Sequence, residues 1–193
     1  MQVAIVKYNA GNIHSVRLAL QRLGYQPVVT DDAQQLRQAE RVIFPGVGEA
    51  STAMNYLRQR GLDQILVDLR QPVLGICLGL QLLCRYSEEN QTTGLGLFPV
   101  EVKLFPPEDK VPHMGWNSIH DLKGPLFRDI AEGSFVYFVH SYYAELSDWT
   151  IARGDYILPF SAALQKDNFF AVQFHPEKSG KIGEKILQNF LNI

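Results

Sequence analysis

The chain has 193 residues, of which 46% are hydrophobic and 20% charged, and its formal net charge is -2. This length is enough for one well-buried core, so we predict a single domain over residues 1–193. The near-neutral charge argues against nucleic acid as a main partner. The apolar runs are short, and residues 1–9 do not resemble a signal peptide, which predicts no membrane segment and a cytoplasmic location.

The first half of the chain alternates short apolar runs with segments of helical periodicity. Such alternation predicts a parallel sheet with helices on both faces. A polar loop is expected at residues 9–12, after the first strand, and either Asp31 or Asp32 can cap the second helix. The predicted strands are residues 3–6, 27–30 and 41–44, and the predicted helices are residues 13–23, 32–36, 50–60 and 62–69.

Cys77 lies where a buried strand, residues 72–77, is predicted to run directly into a helix. A side chain at such a turn is exposed and strained, and the residues two positions before and after it must be small. Gly75 and Gly79 meet that requirement, and the start of a helix favours a thiolate. We interpret Cys77 as a nucleophile; the alternative is a small buried apolar residue. Cys84, the other cysteine, is expected to pack within the helix that follows.

A second segment, around His175, supplies the partners that a cysteine nucleophile needs. Pro176 favours an extended backbone at His175, and residues two apart in an extended segment point to the same side. Glu177 can therefore orient the imidazole ring, which would act as the base. The sequence thus predicts a catalytic triad of Cys77, His175 and Glu177.

The glycine-rich loop at residues 45–49 has two interpretations. In the first, it only forms the turn between a strand and a helix, since it lacks a dinucleotide or phosphate-binding fingerprint. Ligands of parallel sheets, however, bind at the carboxyl ends of the strands, where this loop and Cys77 are both expected. The backbone N–H groups at Val47 and Leu78 would then form an oxyanion hole.

From about residue 95 onward the pattern becomes richer in strands. Residues 106–109 and 167–168 are predicted turns, and Ile182, Ile186 and Phe190 mark a closing amphipathic helix. We expect this half to add an antiparallel extension to the parallel core. The predicted strands are residues 98–105, a short strand within 112–119, and residues 135–139, 150–153, 161–164 and 169–174.

Two motifs together, Gly75-Ile76-Cys77-Leu78-Gly79-Leu80-Gln81 and Phe174-His175-Pro176-Glu177, resemble those of the class I, or triad, glutamine amidotransferases. Four further segments are similar to those of the glutaminase subunits of imidazole glycerol phosphate synthases: Asn12, Pro45-Gly46-Val47-Gly48, His113-Met114-Gly115-Trp116-Asn117 and Phe138-Val139-His140-Ser141-Tyr142-Tyr143. The resemblance implies a class I amidotransferase fold that needs no cofactor and hydrolyses L-glutamine. It also implies a heterodimer, in which ammonia passes to a (β/α)8-barrel synthase subunit of histidine biosynthesis.

The same resemblance implies roles for two sets of residues, each with an ordinary structural alternative. Gln81 could be a surface residue, Glu89 a solvated charge and His140 a core histidine, while Trp116 and Tyr137 could be core aromatics. The residues implied for glutamine binding are Gly48, Gln81, Glu89, His140, Ser141 and Tyr142. Those implied for the partner interface or the ammonia path are Asn12, Met114, Trp116, Tyr137 and Lys178.

Three rival functions remain open from the sequence. One is another triad glutaminase subunit, such as that of anthranilate synthase or pyridoxal phosphate synthase; the others are a catalytically silent regulatory module and a cysteine peptidase. A metal site is not predicted, because the five histidines are scattered and no Cys-x-x-Cys is present.

Overall fold

The structure is a computed structural model that describes residues 1–9 and 11–193; Ala10, in the predicted loop 9–12, lies outside the described residues. In chain order the strands are β1 (Val3–Val6), β2 (Val28–Thr30), β3 (Arg41–Gly46), β4 (Val73–Cys77), β5 (Cys84–Ser87), β6 (Thr92–Thr93), β7 (Phe98–Leu104), β8 (His113–Ile119), β9 (Ser134–His140), β10 (Tyr142–Ala144), β11 (Thr150–Tyr156), β12 (Leu158–Lys166) and β13 (Phe169–Val172). The α-helices are α1 (Ile13–Arg22), α2 (Ala33–Gln38), α3 (Ala50–Gln59), α4 (Leu62–Val67), α5 (Leu78–Leu83) and α6 (Gly180–Leu191).

A seven-stranded sheet, in the order β11-β12-β13-β4-β3-β1-β2, forms the centre of the fold. The strands from β13 to β2 are parallel. Strand β12 pairs with β13 in antiparallel orientation, and β11 pairs with β12 in the same way. This arrangement confirms the predicted fold class. The register pairs Gly46 with Cys77. The glycine-rich loop after β3 and the strand-to-helix turn at Cys77, called the elbow below, therefore leave the sheet at the same edge.

Helices cover both faces of this sheet, as the alternating pattern predicted. Helices α1 and α6 bury Leu20 and Phe190 against Leu74 and Ile76 of β4 on one face. Helices α2 to α5 pack on the opposite face, where Phe44 and Val73 join the second apolar cluster. Every residue of β4 is buried, so the strand that ends at Cys77 lies in the middle of the core. None of the helices in the described residues has the length and apolar character needed to cross a bilayer.

Two smaller sheets lie beside the central one: β10-β7-β5-β6, and the hairpin β8-β9. The sequence did not predict β5, β6 or β10, and it predicted only a short strand where β8 spans seven residues. The placement of Cys84 in a helix was also wrong, because α5 ends at Leu83 and Cys84 begins β5. Strand β5 exists through pairing with β6 and β7, which lie farther along the chain and leave no local pattern. Cys84 is nevertheless buried, as expected.

Candidate active site

Cys77 lies at a strained turn between β4 and α5. Its backbone has φ +54° and ψ -110°, a conformation that residues with a Cβ rarely adopt. A Cβ on Gly79 would overlap the carbonyl oxygen of Phe44, and one on Gly75 would lie 2.7 Å from Leu83 Cδ1. The two glycines therefore let the strand, the turn and the helix pack closely enough to hold the thiol at the sheet edge.

His175 and Glu177 follow β13, which is the neighbour of β4 in the sheet. His175 has an extended backbone, and its N–H donates to the carbonyl of Tyr137 at 2.9 Å. Its Nδ1 lies 2.7 Å from Glu177 Oε1, and both side chains are fully buried. Because a carboxylate only accepts hydrogen bonds, Nδ1 carries a proton. Nε2 is the ring nitrogen that does not contact Glu177.

Asn12, at the start of α1, contacts this pair. Its Nδ2 donates to Glu177 Oε1 and lies 3.3 Å from His175 Nδ1. The backbone of Asn12 is left-handed, with φ 73°. The resemblance implied a place for Asn12 near the partner interface or ammonia path, which stays a prediction. The structure brings its amide against the His175–Glu177 pair, where it fixes the carboxylate.

The protonation of His175 is set by opposing effects. Burial lowers the pKa of its imidazole, but interactions with Cys77 and Glu177 outweigh burial and raise the pKa to about 10. Within residues 1–9 and 11–193, Nε2 of His175 makes no hydrogen bond, so its interaction with Cys77 falls short of a full hydrogen bond. Such contacts often tighten only when substrate binds. An imidazolium beside a thiolate is the state that nucleophilic attack by Cys77 requires.

Cys77 opens onto a cavity of about 310 Å³ at the carboxyl edge of the sheet. The cavity brings together the residues predicted for the oxyanion hole and for glutamine binding, whereas His175 and Glu177 lie buried behind Cys77. Its lining comprises Val47, Gly48, Cys77, Leu78, Gln81, Glu89, Pro112, Val139, His140, Ser141 and Tyr142.

Gln81 and Glu89 are both fixed by hydrogen bonds at the cavity wall. Gln81 is buried, which contradicts the surface alternative, and its Nε2 donates to the carbonyl of Tyr142 at 3.0 Å. The carboxylate of Glu89 accepts from the N–H of Ala50 at 2.8 Å. Burial raises the pKa of Glu89, the Ala50 N–H opposes that rise and the charge of Glu49 adds to it. Glu89 is the acidic group of the lining, suited to an ammonium group.

His140 belongs to a chain of neutral histidines. Its Nδ1 lies 2.8 Å from the Tyr142 carbonyl, which only accepts, so Nδ1 carries the proton and Nε2 accepts from His113 Nδ1–H at 3.0 Å. Nε2 of His113 in turn accepts from Asn117 Nδ2 at 3.3 Å. Burial lowers the pKa of His113 to about 4 and that of His140 to about 3. His140 is thus both a core histidine and part of the cavity wall.

An exposed apolar cluster lies on the hairpin β8-β9 and consists of Met114, Trp116 and Phe135, whose exposed fractions are 62%, 55% and 58%. Trp116 is therefore not a core aromatic. Its ring meets that of half-buried Tyr137 at a centroid distance of 6.0 Å, and Lys178 is exposed. Phe135 is a member that the sequence reasoning did not select.

Sequence reasoning also missed Gln173 and His113. Gln173 lies two residues before His175, so its extended spacing was a signal that both side chains point to one side. No local signal marked His113 as the partner of His140. Within residues 1–9 and 11–193, no group of three or more His, Cys, Asp or Glu side chains is arranged to hold a metal ion.

Comparison with known proteins identifies the family. The glutamine amidotransferase class-I family matches residues 4–193. Two proteins named imidazole glycerol phosphate synthase subunit HisH, from Bacteroides fragilis and Bacteroides thetaiotaomicron, are 59% and 60% identical to this chain over 196 aligned positions, covering all of both sequences. The chain belongs to the HisH family of class-I glutamine amidotransferases.

The family membership confirms the resemblance drawn from the two motifs and makes this HisH family member a glutamine amidotransferase. A solved glutamine amidotransferase structure superposes with a TM-score of 0.76 at 19% identity and covers 98% of this chain and 97% of its own. That likeness bears on the fold of the HisH family member and supports the mixed sheet described above.

Proposed function

We propose that Cys77, His175 and Glu177 carry the glutaminase reaction of this imidazole glycerol phosphate synthase subunit. The observation that supports it best is the cavity, which brings the Cys77 thiol, the glycine-rich loop and the carboxylate of Glu89 together. The buried His175–Glu177 pair lies behind the thiol and supplies an oriented imidazole. A cytoplasmic location, expected from the sequence, stays a prediction.

The cavity has the groups that a glutamine substrate requires. Glu89 would pair with the α-ammonium group, and Gln81 with the Ser141–Tyr142 segment would hold the rest of the amino-acid head. The side-chain amide would then lie against Cys77. The buried hydroxyl of Tyr8 donates to the Pro45 carbonyl at 2.6 Å and so anchors the start of the glycine-rich loop.

The reaction would proceed through a thioester. The Cys77 thiolate attacks the side-chain amide carbon of glutamine, and N–H groups at Val47 and Leu78 stabilise the oxyanion. His175, already an imidazolium, donates its proton to the departing nitrogen, and ammonia leaves. Water, deprotonated by His175, then cleaves the thioester to glutamate and restores Cys77. Glu177 and Asn12 keep the ring in one orientation throughout.

Ammonia produced here would be used by a partner. We propose that this partner is the (β/α)8-barrel synthase subunit, which forms imidazole glycerol phosphate and an aminoimidazole carboxamide ribotide in histidine biosynthesis. The exposed apolar cluster on hairpin β8-β9, with Tyr137 and Lys178 beside it, would form the contact. A contiguous exposed apolar patch is a mark of a protein interaction site, and aromatic residues and Met are enriched in interfaces.

The test measures glutamate release from glutamine by this chain alone, and then with the barrel subunit and its nucleotide substrate. We expect the partner to increase the rate strongly. Cys77→Ala should abolish synthesis from glutamine while leaving synthesis from added ammonia intact. Loss of both activities would make Cys77 a structural residue. If the barrel subunit does not change the rate of glutamate release, the barrel subunit is not the acceptor of the ammonia.

A further inference from the structure

Gln173 is a buried polar side chain that has no role in the proposed glutaminase reaction. It follows β13 and has no exposed surface. Its Nε2 lies 3.8 Å from the sulfur of Cys77, a long hydrogen bond to sulfur. A carboxamide that is fully removed from water needs partners for its donors as well as for its acceptor, so this contact is more than incidental packing.

The orientation of the Gln173 carboxamide follows from its neighbours. Gln81 points one end of its amide at the carbonyl of Tyr142, at 3.0 Å, and a carbonyl only accepts. That end of Gln81 is therefore the nitrogen, and it also donates to Gln173 at 3.1 Å. The Gln173 atom facing Gln81 must then be the oxygen. Its nitrogen is consequently turned toward Cys77.

A donor at this place affects the two protonation states of Cys77 differently. The thiol could donate to the carbonyl of Val139, which lies 3.8 Å from the sulfur, whereas a thiolate would be repelled by that oxygen. An N–H directed at the sulfur favours the thiolate, because hydrogen bonds to charged groups are the stronger ones. The N–H of Gln173 thus acts against the effect of the Val139 carbonyl, which favours the thiol. It also holds the sulfur next to the Gln173 amide.

We propose that Gln173 is a positioning residue for Cys77, which donates its amide N–H to the sulfur and is itself held by Gln81. The inference rests on the proposed nucleophilic role of Cys77. Gln81 lines the cavity and Gln173 does not, so the carboxamide of Gln173 links the cavity wall to the nucleophile from behind. It acts through Cys77 and does not touch the substrate.

The experiment follows alkylation of Cys77 by iodoacetamide in the full chain across a pH series. Gln173→Met keeps the length of the side chain without a donor, and Gln173→Glu keeps its shape but adds a negative charge. Near neutral pH, we expect alkylation to slow about tenfold in the Met variant and further in the Glu variant. In strongly alkaline solution, where the thiolate forms without help, the Met variant and the unmodified chain should react at similar rates.

A matched control is Asn189→Leu. Asn189 is a buried amide that donates to the carbonyls of Leu126 and Arg128, away from the cavity. The Asn189→Leu substitution should lower thermal stability and leave the pH profile of Cys77 alkylation unchanged. With the barrel subunit present, the Gln173 variants should lose glutamine-dependent synthesis in proportion to the alkylation rate and retain ammonia-dependent synthesis.

A folded Gln173→Met or Gln173→Glu chain that is alkylated at the original rate near neutral pH would overturn the proposal. So would a fall of equal size at every pH, which is the signature of a packing defect. Failure of the proposed nucleophile looks different: alkylation of Cys77 in the unmodified chain would then leave glutaminase activity intact, whatever happens in the Gln173 variants.

Discussion

At the scale of single residues, the site depends on buried groups that hold one another in one protonation state. Asn12 Nδ2 and His175 Nδ1 both contact the same oxygen of Glu177, Oε1. This contact fixes the ring and supports its positive charge. The electrostatic environment of His175 is therefore made by residues from two distant segments, the start of α1 and the turn before α6.

Glu177→Gln should show how much the carboxylate contributes. The change keeps the shape of the side chain but removes the charge that fixes the proton on Nδ1, so we expect glutamine-dependent glutamate release to fall by about 10³–10⁴-fold. Steady-state assays with the barrel subunit measure this. Glu184→Gln is the control, because the one ion pair of Glu184 among the described residues is an exposed pair with Arg22. A loss below tenfold would contradict the orienting role.

The buried histidines should make stability depend on pH. Burial lowers the pKa of His113 in the folded chain to about 4 from its ordinary value of 6.5, so unfolding takes up a proton when the pH lies between these two values. Stability from this group is complete above 6.5 and is lost as the pH falls toward 4. His175 acts in the opposite sense: its contribution is present below 6.5 and is lost as the pH rises toward about 10.

His113→Asn tests this linkage. Asn retains a donor toward His140 but does not titrate, so the free energy of unfolding should fall less steeply with acidification. We expect the unmodified chain to lose about 1 kcal/mol more per pH unit than the variant within that interval. Urea denaturation at a series of pH values gives the difference. Parallel curves for the two proteins would show that His113 does not titrate on unfolding.

At the scale of elements, the site depends on a strand and a helix joined without a loop. Strand β4 ends at Cys77 and α5 begins at Leu78, so the helix turns back against β3 at once. This turn is only possible because Gly79 has no Cβ to meet the Phe44 carbonyl. The positive φ of Cys77 is a consequence of the same sharp turn.

Gly79→Ala should therefore be more damaging than an ordinary glycine substitution. We expect a loss of about 3 kcal/mol or more in the free energy of unfolding, since the obstacle is backbone rather than a movable side chain. Gly24→Ala is the comparison: Gly24 has φ +87° but open space around it, and its change should cost about 1 kcal/mol. Equal losses in urea denaturation would mean that the elbow is not tightly packed.

At the scale of the whole molecule, hairpin β8-β9 connects the surface to the site. Its outer face carries the exposed apolar cluster. His113 and His140 pair across one end of the hairpin, and His140 lines the cavity. The backbone of His175 is also bonded to β9, at Tyr137. A partner that binds this hairpin would thus contact an element that supports both the imidazole and the wall of the cavity.

Trp116→Ala should weaken the proposed complex with the barrel subunit. Removing a large aromatic side chain from the centre of an interface commonly costs about 2 kcal/mol of binding free energy, which corresponds to a loss in affinity of about thirtyfold. Calorimetric titration measures it. Leu146→Ala is the control, because Leu146 is exposed elsewhere. Unchanged affinity in the Trp116 variant would place the interface on another surface.

The sequence alone determined the parts of this protein that depend on neighbouring residues. Alternating strands and helices predicted the parallel core, and the glycines around Cys77 predicted a sharp elbow, because local periodicity and steric limits decide both. The pairing of His175 with Glu177 was predictable for the same reason, since two residues apart on an extended segment share a side.

Tertiary structure alone decided the rest. Strand β5 forms by pairing with β6 and β7, and therefore Cys84 leaves the helix. Trp116 is exposed because no described element covers the outer face of its hairpin, which its composition does not reveal. Gln173 and His113 find their partners 92 and 27 residues away. Contacts between such distant segments are chosen by how the whole chain packs, and a local sequence pattern does not record them.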